Sequence, residues 1–123
     1  MIKVFETETK VNFVQDDNTF VGYDLEGKCC EYANWYVAPT PNITGEMPAE
    51  ENLCKEIPEY YSFRKTYYLE YHPGDDEEGC RVIFKLTSFD HPDLYLHLFN
   101  CHNGHYGHGF KVNFYANERE GVL

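Results

Sequence analysis

Three runs in the second half of the chain alternate apolar and polar residues with a period of two, which is the period of a β-strand. Phe63–His72 sets Phe63, Tyr67, Leu69 and Tyr71 against Arg64, Thr66, Tyr68 and Glu70. Arg81–Ser88 sets Val82, Phe84 and Leu86 inward and Arg81, Lys85 and Thr87 outward. Leu94–Cys101 points Leu94, Leu96 and Leu98 one way and Tyr95, His97 and Phe99 the other. Turn chemistry separates the runs: Pro73 to Gly79 is rich in Gly and Asp, and Asp90-His91-Pro92-Asp93 pairs a fixed φ with backbone-capping aspartates. Phe110–Phe114 closes the sheet, with Phe110, Val112 and Phe114 inward. These segments commit half the chain to consecutive antiparallel strands.

The first half is more mixed. Lys10–Val14 and Thr19–Asp24 are β-branched and aromatic runs joined by Gln15-Asp16-Asp17-Asn18, a hairpin pattern, and Ile2–Thr7 reads as an additional edge strand. Gly27 breaks the chain. Beyond it, Lys28–Val37 places Cys29, Ala33 and Tyr36 at helical spacing with Cys30 and Val37 beside them, which predicts a short helix. Pro39 to Pro58 is rich in proline and glutamate and reads as a surface loop. It is longer than most connections in compact domains, and such loops tend to be functional or mobile. The expectation is one domain over 1–123, with 39–62 as a long acidic loop. Its class is α+β: mostly an antiparallel β meander or roll, with one short helix.

Charge narrows the function. The 21 acidic and 10 basic residues leave a net charge of −11. Phosphate binding needs clustered Lys and Arg, so direct nucleic-acid binding is not expected, whereas an acidic field favours partners with a basic surface. Solubility alone is the plainer reading of the same charge. The N-terminus carries no apolar run for export or membrane insertion. Five cysteines are an odd count, and the adjacent pair Cys29–Cys30 would strain a disulfide. Together these predict a cytoplasmic protein without membrane association. Its thiols, at Cys29, Cys30, Cys54, Cys80 and Cys101, would be reduced and mostly buried.

Chemistry-bearing side chains concentrate in Tyr95–Phe110, which holds four of the six histidines. Asn103-Gly104 is a strong turn signal, and Gly107 and Gly109 allow further bends. The plain reading is a glycine-rich hairpin tip with solvated polar groups. A second is a metal site from His102, His105 and His108 with Cys101 or His97, although the spacing matches no established zinc site. A third is acid–base chemistry by His102 or His108, oriented by Asp90, Asp93 or Glu31. No nucleophile elbow, phosphate loop or paired-carboxylate motif accompanies it. Cys30 beside Glu31 reads more simply as a buried thiol than as a nucleophile. Trp35, the single tryptophan, reads as core or as an interface anchor.

Lys10–Val14, Gly22-Tyr23, Cys29-Cys30-Glu31 with Trp35, and Tyr95–Phe110 together resemble a family of small bacterial and phage proteins that is catalogued as a domain of unknown function. The Pro39–Ser62 loop lies outside the resemblance. The family implies no activity and no cofactor. It has Tyr where this chain has His105, which weighs against a three-histidine metal site. The resemblance implies a functional surface of His102, Asn103, Gly104, Tyr106, His108 and Gly109, joined by Cys29, Cys30, Glu31 and Trp35. The expectation is then a non-enzymatic acidic binding module, monomeric or a small oligomer. It would be phage- or mobile-element-encoded and act on a host protein with a basic surface. The alternative is a small metal-binding protein or enzyme using the turn 100–110.

Overall fold

The computed structural model describes residues 1–26, 32–41, 52–71, 80–101, 108–114 and 117–123. They form nine strands: β1 (Ile2–Glu6), β2 (Lys10–Gln15), β3 (Phe20–Asp24), β4 (Tyr32–Ala38), β5 (Ser62–Tyr71), β6 (Cys80–Thr87), β7 (Leu94–Cys101), β8 (Gly109–Phe114) and β9 (Asn117–Val122). Every pairing between them is antiparallel. A five-stranded sheet runs β1-β2-β3-β8-β9, and a four-stranded sheet runs β4-β7-β6-β5. In the four-stranded sheet, β5, β6 and β7 are sequential neighbours and β4 lies beside β7, a Greek-key order. The chain between β4 and β5 therefore has to pass from one edge of that sheet to the other, which accounts for its length.

Inner faces of the two sheets pack on each other. Val11, Phe13, Val21, Tyr23, Phe110, Val112 and Phe114 meet Trp35, Val37, Phe63, Val82, Phe84, Leu86, Leu96 and Leu98 in one buried cluster. Edge-on aromatic pairs interlock them, Phe13 with Trp35 at 4.9 Å and Phe84 with Phe114 at 6.0 Å between ring centres. Polar bonds close both seams. At one, Trp35 Nε1 and Lys55 Nζ each donate to Glu6 Oε1 at 2.9 Å. At the other, Arg119 pairs with Glu70, donates from Nε to the Tyr68 hydroxyl at 3.0 Å, and lies over the Tyr68 ring.

Several expectations need correction. The class is all-β, not α+β, because the predicted helix at Lys28–Val37 is strand β4 over its described part. Tyr32–Ala38 pairs with β7 along its whole length. Trp35 faces the core, and Tyr36 stacks on His97 on the other face. With both faces buried the run loses its period of two, and chance helical spacing can then mislead. Second, Phe110–Phe114 does not close the meander: it crosses to the other sheet and pairs with β3, and β9 follows.

Third, part of the outward face of β6 and β7 is buried as well, although Lys85, Thr87 and Tyr95 on it stay partly exposed. Arg81, Ile83, His97 and Phe99 are all at most 1% exposed. In β5, an irregularity between Phe63 and Tyr68 inverts the predicted alternation. Tyr68 turns to the core against Phe84 and Phe110, leaving Leu69 exposed. The loop after β4 is likewise not purely surface, since Ile57 and Tyr61 join the core; of the thiols, Cys54 in that loop is exposed and Cys80 packs partly buried against the core.

Candidate functional site

Of the surface expected from the sequence, Trp35, His108 and Gly109 are described; Cys29, Cys30, Glu31, His102, Asn103, Gly104 and Tyr106, with the His105 of the metal reading, lie outside the described residues. Tyr32 is paired with Cys101 and Ala33 with Asn100, so the two sequence blocks leave the four-stranded sheet at the same end on neighbouring strands. Trp35 itself is in the core, 1% exposed. His108 is 2% exposed and held through both its backbone and its ring. Its backbone exchanges two hydrogen bonds of 2.8 Å with Leu123, and its ring Nδ1 lies 2.8 Å from the Asp24 carbonyl. A carbonyl only accepts, so Nδ1 carries the proton. Asp90 and Asp93 sit at the opposite end of β7, an eight-residue strand of roughly 25 Å, too far to orient His108.

A second histidine, His97, is buried between β4 and β6. Its ring is parallel to Tyr36 at 4.4 Å, and Nε2 donates to the Thr40 carbonyl at 3.0 Å. Nδ1 finds no partner among the described residues. Burial, aided by the nearby Arg81 charge, pushes its pKa down to about 4 although the bond to Thr40 acts the other way. The ring is therefore neutral near pH 7. Neither imidazole is placed as a solvated catalyst. Among the described residues no three His, Cys, Asp or Glu side chains are grouped to hold a metal ion. Nor, among the described residues, is any helix long and apolar enough to cross a membrane.

A concavity among the described residues lies elsewhere, on the outer face of the five-stranded sheet. It is an open groove of about 1050 Å³ lined from β3, β8, β9 and the β1–β2 turn. Strand register explains its shape. One row across the sheet reads Phe5, Asn12, Gly22, Lys111, Glu120, and the next reads Val14, Phe20, Asn113, Glu118. Gly22 has no side chain to fill the middle of its row, and the Phe20 ring leans over the gap. A Cβ at Gly22 would sit 2.8 Å from the tip of that ring. Around this floor stand Lys10, Asp24, Glu26, Lys111, Glu118 and Glu120. Lys111 reaches Glu120 at 3.6 Å with both side chains solvated, and Asp24 caps the backbone N–H of Glu26 at 2.9 Å.

Sequence reasoning did not single out this face. Two signals were present: a glycine inside a strand of aromatic and β-branched residues, and the charged run Glu118-Arg119-Glu120. No family model, curated protein or solved structure matches the chain. The resemblance to small bacterial and phage proteins therefore rests on its residue blocks alone.

Proposed function

We propose that the protein is a non-catalytic binding module that takes a basic segment of a partner protein into the groove of the five-stranded sheet. The observation that carries this reading is the groove's charge. Asp24, Glu26, Glu118 and Glu120 supply four carboxylates against the two ammonium groups of Lys10 and Lys111. The net charge of −11 has the same sign, so long-range steering and local complementarity act together. Phe20 adds an aromatic edge against which a cationic side chain can pack. The resemblance supplies a setting, a phage or mobile-element protein acting on a host protein in the cytoplasm.

Fluorescence anisotropy of labelled octa-lysine tests the reading. Affinity should fall with added salt, because exposed charges are screened over about 8–10 Å at ordinary ionic strength. The double variant E118Q/E120Q should bind roughly three- to tenfold more weakly, the scale of two exposed charge contacts. Binding indifferent to both salt and the double variant would overturn it.

A further inference from the structure

The end of the sandwich opposite His108 carries an aromatic tip built from two loops. Phe89, between β6 and β7, is 99% exposed, and Tyr60, just before β5, is 73% exposed. The Tyr60 ring lies parallel to the His91 imidazole, 6.2 Å away. Beneath them Tyr61 is buried; its ring meets His91 at 6.3 Å, and its hydroxyl donates to the Pro92 carbonyl at 2.7 Å. Ser88 Oγ lies 3.3 Å from His91 Nδ1. The loops are thus tied to each other, and the tie fixes the turn that presents Phe89.

A solitary exposed apolar residue is ordinary. Here Phe89, Tyr60 and the exposed Pro58 and Pro92 share a braced tip, which is how an interface anchor is presented. The Tyr60–His91 stack and the Tyr61–Pro92 bond already hold the backbone of the turn, so docking has little to order beyond the Phe89 side chain itself. The surrounding charge selects the partner. Segments 56–62 and 88–93 contain Glu56, Glu59, Asp90 and Asp93 and no Lys or Arg. Asp93 is paired with Lys85 at 3.3 Å, which leaves a net anionic rim. A second copy of the chain would bring like charge to this rim, and an anionic bilayer would be repelled by it.

We propose that the Phe89–Tyr60–His91 tip docks a protein whose surface has an apolar pocket for one aromatic ring inside a rim of Lys and Arg. The tip shares no residue with the groove, so this inference goes beyond the function proposed above.

Photo-crosslinking tests it. Benzoylphenylalanine replaces Phe89 in the full chain, and in a second version it replaces Phe20 in the groove. Each is irradiated in a lysate of the organism that carries the gene, and adducts are identified by mass. The adduct partner is then purified, and its affinity for the wild type, F89A and Y60A is measured at low and high salt. The expected result is a protein with a basic patch, bound at least tenfold more weakly by F89A and more weakly at high salt. The proposal is overturned by no adduct at position 89, by adducts solely with lipid or a second copy of the chain, or by F89A binding like wild type. Adducts at position 20 without any at 89 would leave the groove reading standing while removing this one.

Discussion

The hydroxyl of Tyr23 on β3 donates a 2.8 Å hydrogen bond to the carbonyl of Phe99 on β7, with both side chains fully buried. It pins the five-stranded sheet to the four-stranded one through the core, where an edge ion pair cannot reach. Tyr23→Phe keeps the ring and removes the bond. Chemical denaturation should show a loss of about 1–2 kcal/mol, the usual scale for a buried hydrogen bond.

His108 extends the same joint toward the C-terminus through Asp24 and Leu123. His108→Ala should lower stability by roughly 2 kcal/mol, since it removes a buried ring and deprives the Asp24 carbonyl of a donor. A thermal melt within half a degree of wild type would show that the imidazole is not structural.

Acid should weaken the fold through His97. In the folded protein its pKa is about 4, against an ordinary value of 6.5. Between those values the unfolded chain binds the extra proton, so stability falls as pH drops through that window and His97 has no further effect below it. The full contribution is on the order of 3 kcal/mol. His97→Phe keeps the stack on Tyr36 and cannot titrate. Melting temperatures from pH 7 to pH 4 should therefore decline less steeply for the variant. Parallel slopes would contradict the assignment.

Two glycines should respond differently to one methyl group. A Cβ at Gly121 would lie 2.6 Å from the ring of Phe110, which is packed in the core, and 3.3 Å from Glu70 Oε1. Gly121→Ala should cost about 1–3 kcal/mol through overpacking. At Gly22 the neighbours are two side-chain ends, the tip of the Phe20 ring at 2.8 Å and Asn12 Oδ1 at 3.0 Å, and both can turn aside without moving backbone. Gly22→Ala should cost under about 1 kcal/mol and instead make the groove shallower. Denaturation midpoints for the pair decide it.

Strands facing core on one side and solvent on the other were legible in the sequence, as in β2 and β8, where Val11, Phe13, Phe110, Val112 and Phe114 alternate with polar residues. The β2–β3 turn was legible too: Asn18 takes a positive φ of 67° and Asp17 caps Thr19. Legibility failed where both faces are buried. Tyr32–Ala38 carries no alternation for that reason, and Arg81 and His97 looked like solvent residues because their neighbours come from other strands: Tyr36 stacks on His97, and Phe99 lies opposite Arg81. Sheet assignment was equally hidden, since nothing local in Phe110–Phe114 says that it pairs with β3. The groove needs that pairing: Gly22 and Lys111 become neighbours through it alone.

The central claim is that this groove, and not the histidine-rich turn, receives a cationic partner. Mapping amide chemical shifts of the ¹⁵N-labelled full chain during titration with octa-lysine tests it most directly. The account predicts shifts concentrated on Phe20, Gly22, Lys111, Glu118 and Glu120, fading as salt is raised. Shifts centred on residues 100–108, or scattered evenly over the acidic surface, would contradict it.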